Sequence, residues 1–134
     1  MRNRTTKDVV YSPEAFRGRR RMLFGLLQGT LDILVLQALS EGTNHGYGVA
    51  RWIHEQTDDT LVIEDGALYT ALHRLEKSGL LRSEWGRSES NRRAKFYSLT
   101  AKGRRVLREQ TDTWHRTANA LFKALGPRTR KASS

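Results

Sequence analysis

The stretch Asp65–Gly79, with the sequence DGALYTALHRLEKSG, decides the fold of this chain. Its apolar residues follow the i, i+3, i+4, i+7 spacing of an amphipathic helix: Leu68, Ala71, Leu72 and Leu75. We expect Asp65 to cap the first turn and Gly79 to end the helix in the left-handed conformation. The other face carries long or polar side chains: Tyr69, Thr70, His73, Arg74 and Lys77. The sequence therefore predicts a helix over Gly66–Ser78 with a buried face and an exposed polar ridge.

Two more helices are predicted upstream. The first is apolar on almost every side over Leu31–Leu39, so it must be buried, and Thr30 is expected to cap it. The second opens at His45, and its helically spaced apolar residues are assigned to the core: Tyr47, Ala50 and Ile53. The β-branched run Leu61–Ile63 is long enough only for a minor strand.

A β-hairpin is predicted downstream. The segments Leu80–Trp85 and Ala94–Leu99 have strand-like composition and are separated by a polar, glycine-containing turn. Trp85 and Tyr97 are expected to pack at the base of the hairpin. Its tip and descending limb carry a basic cluster: Arg87, Arg92, Arg93 and Lys95. These cations are candidates for phosphate contacts, and the alternative is an ordinary solvated surface.

The last predicted helix begins after Thr100, which is expected to cap it. Leu107, Trp114 and Leu121 recur every seven residues along this segment, and such a stripe indicates a partner helix. The residues assigned to a dimer interface are Leu107, Trp114, Ala118, Leu121, Phe122 and Leu125. Trp114 has a second interpretation, as one wall of a pocket for an aromatic effector.

Length and charge limit the possible functions. The chain has 134 residues, enough for one compact domain with a helical appendage. Its formal charge of +10 predicts attraction to polyanions such as nucleic acid or an anionic membrane. The longest apolar run, Ile33–Leu36, is far shorter than the roughly 20 residues of a membrane-spanning helix, so no membrane partner is predicted. The amino terminus lacks the features of a secretory signal, and a cytoplasmic location is expected.

Motifs for catalysis and metal binding are missing from the sequence. The chain has no cysteine, which excludes disulfide scaffolds, thiolate zinc sites and cysteine nucleophiles. Its 4 histidines are scattered without an i, i+4 pair, so no metal site is predicted. There is no GxSxG elbow and no phosphate-binding loop with lysine. We therefore expect neither an enzyme nor a cofactor.

The order of elements predicts a mainly α fold with a small β-hairpin. Three helices, a hairpin and another helix form a winged helix-turn-helix domain, in which one helix enters the major groove and the hairpin, or wing, touches flanking phosphates. Residues 27–99 are assigned to this domain and residues 100–125 to a dimerisation helix. Residues 1–26 are expected to form a basic, partly disordered arm, and residues 126–134 a flexible tail.

Several ordered motifs resemble one family. They are LQGTLD at 27–32, HGYG at 45–48, DGALYTALHRLE at 65–76, EWG at 84–86 and RRAKFYSLT at 92–100. Together they resemble the PadR family of transcriptional regulators, with Thr70 at a position where that family often has proline. The resemblance implies a homodimeric winged-helix DNA-binding protein, usually a repressor, whose carboxy-terminal helix packs against the partner subunit. Some members release DNA when an aromatic compound binds near the dimer interface, so a small aromatic effector is a candidate partner, although no residue here identifies it.

The polar ridge of the third helix supplies the candidate base contacts. Tyr69 and His73 are assigned to base edges or phosphates, and the alternative is that they cover neighbouring core residues. Thr70 suits a base contact or a solvent-facing position equally well. Arg74 and Lys77 are candidate phosphate contacts, although Arg74 could pair with an acid such as Glu76, and Lys77 suits the carboxy-terminal end of a helix.

These predictions combine into one hypothesis. The chain is a sequence-specific repressor that binds a pseudo-palindromic operator on double-stranded DNA as a homodimer, with half-site centres roughly 10 base pairs apart. One alternative is a basic protein that binds nucleic acid without choosing a sequence, or an adaptor that binds protein through its last helix. Another is a carrier of small molecules in a pocket around Trp114.

Overall fold

In the computed structural model, residues 29–127 are described, and the structural statements that follow concern this range. The predicted amino-terminal arm and all but the first two residues of the predicted tail lie outside it. The elements are α1, whose described part covers 29–40; β1, Asn44–His45; α2, Gly46–Gln56; α3, Asp65–Lys77; β2, Leu81–Arg87; β3, Arg93–Leu99; and α4, Ala101–Leu125. Three helices, a hairpin and a further helix follow in the predicted order, which confirms the winged helix-turn-helix fold.

The apolar faces of the helices and the hairpin meet in one core. The most deeply buried side chains come from all of these layers: Val35 and Leu36 of α1, Val49 and Ile53 of α2, Leu68 and Leu72 of α3, and Leu81 of β2. All four apolar positions that decided the fold of α3 are buried, as the spacing predicts. Gly79 has a φ of 83° just beyond the end of α3, which confirms its role as the left-handed stop.

The hairpin belongs to a sheet of three antiparallel strands in the order β1-β3-β2. Trp85 pairs with Lys95, and Arg87 pairs with Arg93 at the tip. The sequence did not predict β1, because two residues carry no periodicity. Tyr97 is buried at the base of the hairpin as expected, but Trp85 is 58% exposed. The prediction that Trp85 packs at the base is wrong, because its position lies towards the tip, beyond the last core layer.

The assignment of Tyr47 to the core is also wrong. Tyr47 is 54% exposed, whereas Val49 and Ile53 of the same helix are fully buried. Tyr47 and Val49 are two positions apart, which sets their side chains about 200° apart around a helix of 3.6 residues per turn. The start of α2 agrees better with prediction, because Nδ1 of His45 accepts a hydrogen bond of 3.1 Å from the N–H of Gly48 and so caps the helix.

Three local predictions around the helix starts need correction. Residue 29 is already helical, so Thr30 lies within α1 and cannot have the non-helical geometry of its N-cap. Helix α3 begins one residue early, with Glu64 as the extended N-cap, and places the Asp65 carboxylate at the positive end of the helix dipole. The run Leu61–Ile63 is not a strand, because no described strand lies beside it. Its Leu61 and Ile63 side chains pack against the core instead.

Helix α4 starts at the predicted cap and then leaves the domain. Thr100 accepts a hydrogen bond of 3.0 Å from the N–H of Gly103. A Cβ built on Gly103 would lie 2.2 Å from the carbonyl oxygen of Leu80, so only glycine permits this packing. Only Gly103 and Leu107 are buried among the 25 residues of the helix, which is about 37 Å long at 1.5 Å per residue. Most of α4 therefore extends beyond the core. No helix among residues 29–127 is long and apolar enough to span a membrane.

Candidate nucleic-acid interface

The polar ridge of α3 is exposed along its whole length. Every side chain predicted to lie on it is exposed: Tyr69, Thr70, His73, Arg74 and Lys77. The opposite face of the same helix is buried in the core, so the helix cannot rotate without removing its leucines from the interior. The fold therefore holds these five side chains on one fixed surface.

Tyr69 lies across the start of α2. A Cβ built on Gly46 would be 2.8 Å from the hydroxyl oxygen of Tyr69 and 2.8 Å from the nearest ring carbon. The ring occupies the space that any other residue at position 46 would need for its side chain, and it is still 50% exposed. Tyr69 therefore covers a neighbouring element while half of its surface remains exposed to solvent.

Arg74 forms an ion pair with Asp32 of α1 and not with Glu76. The side chains of both partners are partly exposed, so the pair is accessible to solvent and to salt. In the free protein, this contact directs the Arg74 charge towards α1. The sequence did not single out Asp32, because the contact joins residues 42 positions apart.

The Glu76 carboxylate joins α3 to both strands of the wing. It accepts a hydrogen bond of 2.6 Å from the hydroxyl of Ser83 on β2. Its other oxygen lies 3.6 Å from Nζ of Lys95 on β3. Lys95 is therefore already paired with an acid.

The remaining wing cations lie near the tip. Arg87, Arg92 and Arg93 are all exposed, and Arg87 donates a hydrogen bond of 3.2 Å to the carbonyl of Asn91. The guanidinium carbon of Arg93 lies 4.3 Å from the centroid of the Trp85 ring. Among residues 29–127, none of these three arginines has an ion pair with a carboxylate. Their charges are thus available to an external polyanion.

A contact between His45 and Glu89 connects the wing tip with α2. Nε2 of His45 lies 3.6 Å from the Glu89 carboxylate, and the edge of the His45 ring packs against Phe96. A hydrogen bond from the backbone of Glu89 itself, and then the bond to the His45 side chain, lower the pKa of this carboxyl below its ordinary value. This contact places the turn of the wing beside the cap of α2.

The residues assigned to the dimer interface fall into two groups. Leu107 is 8% exposed and belongs to the core of its own subunit. Further along α4, Ala118 is half-buried and the larger apolar side chains are exposed: Trp114, Leu121, Phe122 and Leu125. The carboxy-terminal half of α4 therefore presents an apolar surface that nothing in the described part of the subunit covers.

No group of three or more potential metal-ligating side chains occurs within residues 29–127. The site instead combines a polar helix ridge with a cationic wing. Those two parts are held together by Glu76.

Comparison with known proteins agrees with this architecture. Residues 35–109 match the family model described as the transcriptional regulator PadR-like family. A transcriptional regulator from Clostridium thermocellum is 31% identical, with a TM-score of 0.67 and coverage of 74% of this chain and 96% of that one. A PadR family transcriptional regulator from Eggerthella lenta is 34% identical, with a TM-score of 0.65 and coverage of 87% and 100%. An uncharacterized protein X from Lysinibacillus sphaericus is 27% identical over 89 residues, which are 66% of this chain and 82% of that protein.

Proposed function

The chain belongs to the PadR-like family of transcriptional regulators, and we propose that it represses transcription by binding a pseudo-palindromic operator as a homodimer. The observation that carries this proposal is the exposed ridge of α3, which is fixed by the buried leucines on the opposite face of the helix. A ridge of this kind fits the major groove of DNA, where base edges present distinct hydrogen-bond patterns.

Within this proposal, Tyr69, Thr70 and His73 contact base edges. Each offers a hydrogen-bonding group on the exposed face, and Thr70 also carries a methyl group that suits the methyl of thymine. Lys77 at the end of α3 and the three wing arginines, which have no ion pair within residues 29–127, contact phosphates, which position the protein without reading sequence. Arg74 and Lys95 contribute less, because each has an acidic partner in its own subunit.

The homodimer is proposed from the apolar surface of α4. Trp114, Ala118, Leu121 and Leu125 lie on one side of the helix, at the spacing of a seam between two helices. Pairing of two such helices buries this apolar area, which is unfavourable to leave in water. The proposal requires that the same pairing set the two copies of α3 on one side of the assembly, because a two-fold operator presents its half-sites on one side.

Sedimentation tests the homodimer directly. The pair of substitutions Trp114→Ala and Leu121→Asp is expected to reduce the dimer to a monomer at micromolar concentration. Arg116→Asp, on the opposite side of the same helix, is the control and should leave the mass unchanged. A dimer that survives the paired substitutions contradicts the assignment of the seam.

Selection from random DNA tests the operator. The wild-type protein should enrich one motif with two-fold symmetry, and a large excess of unrelated duplex should not displace it. Tyr69→Phe and His73→Ala are then expected to reduce the preference for the selected duplex over random DNA by about 5- to 100-fold, the range of a lost base contact. Failure to enrich any motif contradicts the proposal.

A second candidate function has support from the charge of +10, which suits a protein that binds nucleic acid without choosing a sequence. The competition experiment separates the two, because unrelated DNA displaces a binder that depends on charge alone.

Release by a small aromatic effector is a further part of the proposal, with the exposed ring of Trp114 as the candidate contact. An effector that quenches wild-type fluorescence should quench Trp114→Phe less.

A further inference from the structure

We propose that Trp85 is a positioning residue for DNA binding: its indole ring orients the Arg93 guanidinium towards a backbone phosphate. This inference rests on the proposed function, because it specifies how the wing contacts DNA. It starts from an exposed tryptophan that the core does not explain. Trp85 is 58% exposed, and the guanidinium carbon of Arg93 lies 4.3 Å from its ring centroid.

The strand register places this pair on the side of the wing that faces α3. Ser83 and Lys95 both contact Glu76 of α3, so their side chains lie on that side. Side chains alternate along a strand, and Trp85 follows Ser83 by two residues while Arg93 precedes Lys95 by two. Trp85 and Arg93 therefore continue the same surface outward from α3.

The chemistry of the pair suits a phosphate. At 4.3 Å from its carbon, the ring covers one side of the guanidinium, and N–H donors directed away from the ring can bind two phosphate oxygens. A stacked arginine also loses less side-chain freedom on binding than an unsupported one, because its orientation is already restricted. Within residues 29–127, Arg93 has no acidic partner that would compete with the DNA.

Arg92 provides the comparison within the same wing. Arg92 is exposed and directly precedes Arg93, the first residue of β3. Of the two arginines, Arg93 is the one with a contact to the Trp85 ring in the described part of the chain. A charge-conserving change at each position therefore separates the role of the indole from the role of the charge.

The test uses the full-length protein, a 30-base-pair duplex selected by the wild-type protein, and a random-sequence duplex of the same length. Trp85→Leu is expected to weaken binding to both duplexes by about two- to fivefold per wing, the size of an exposed cation–π contact. The salt slope should not change, because no charge is lost. Trp85→Tyr keeps an aromatic face and should restore most of the affinity.

A double-mutant cycle tests whether Trp85 acts through Arg93. Arg93→Lys keeps the charge but loses the planar fork, and should weaken binding about as much as Trp85→Leu. The two changes together should be no worse than either alone. Arg93→Gln, in contrast, should reduce the salt slope by about one unit per wing. Arg92→Lys should change the affinity for DNA by the same small factor in the wild-type protein and in Trp85→Leu.

Any of three binding results overturns the inference: wild-type affinity in Trp85→Leu, a reduced salt slope in that variant, or full additivity of its effect with that of Arg93→Lys. A change in sedimenting mass in Trp85→Leu also overturns it, because the ring then belongs to an interface between copies.

Trp85 is exposed, and its removal should leave the thermal unfolding midpoint nearly unchanged. If Trp85→Leu does not fold, Trp85→Tyr and the Arg93 variants decide the question. If the wild-type protein selects no duplex, the proposed function fails; if it selects one and Trp85 has no effect, only this inference fails.

Discussion

The hydroxyl of Ser83 donates a hydrogen bond of 2.6 Å to the Glu76 carboxylate, and this contact joins the wing to α3. The same carboxylate has Lys95 within 3.6 Å, so one acid on α3 holds residues from both strands of the hairpin. A wing attached in this way cannot change its angle to α3 without losing a charge-assisted hydrogen bond. The distance between the α3 ridge and the wing arginines is therefore set by contacts within one chain.

Ser83→Ala is expected to lower the free energy of unfolding by about 1 kcal/mol, the usual net value of a lost hydrogen bond. It should also weaken DNA binding, because the wing is less firmly oriented. Urea denaturation and DNA titration measure the two effects. Ser78→Ala, at the exposed carboxy-terminal end of α3, is the control. Unchanged stability in Ser83→Ala would show that this contact does not hold the wing.

Lys95→Gln is expected to change the salt dependence of DNA binding less than Arg92→Gln does. Lys95 has Glu76 as an internal partner, whereas Arg92 has no ion pair with a described carboxylate. Each phosphate contact adds about 0.9 to the slope of log affinity against log salt concentration. Titrations at several salt concentrations measure this slope. Equal decreases of this slope in Lys95→Gln and Arg92→Gln would mean that DNA displaces Glu76 from Lys95.

The sequence-based predictions agree with the structure where the contacting residues lie close together along the chain. The face of α3 was predictable because Leu68 and its buried neighbours repeat along one helix, and a period is visible in the sequence. The cap of α4 by Thr100 was predictable because it too is a local contact: its partner Gly103 lies only three residues away. Local patterns thus gave the order of elements and the exposed ridge.

Contacts between distant segments were not predictable. Asp32 pairs with Arg74 across 42 positions, and no sequence pattern indicates such a partner. Tyr47 was misplaced because the spacing of Tyr47, Ala50 and Ile53 fits a helix, but the buried face centres on Val49 and Ile53. The exposed Trp85 was misplaced because hydrophobicity alone assigns an aromatic residue to a core. Its stacking partner becomes apparent only from the register of the two strands.

Gly46→Ala is expected to alter DNA recognition, although Gly46 is not on the α3 ridge. The added Cβ would lie 2.8 Å from the Tyr69 ring, so the ring must move from its present position. The preference for the selected duplex over random DNA should fall, as is expected when Tyr69 itself is changed. Gly66→Ala is the matched control, because a Cβ there meets nothing within 4 Å. Gly66→Ala should retain the preference, and an unchanged preference in Gly46→Ala would contradict the role of Tyr69.

The Glu89 carboxyl should titrate below its ordinary value of 4.5, chiefly because of the hydrogen bond from its own backbone and secondly because of His45. Since this pKa is lower in the folded state, the stability it adds is present above about pH 4.5 and disappears as the pH falls through the lowered value. Carbon NMR of the Glu89 carboxyl measures the pKa directly. His45→Asn keeps a side-chain oxygen to cap α2 and should raise the Glu89 pKa only part of the way, because the backbone contact remains. A full return to the ordinary value in His45→Asn would show that the contact with α2, and not the turn of the wing itself, stabilises the charge on Glu89.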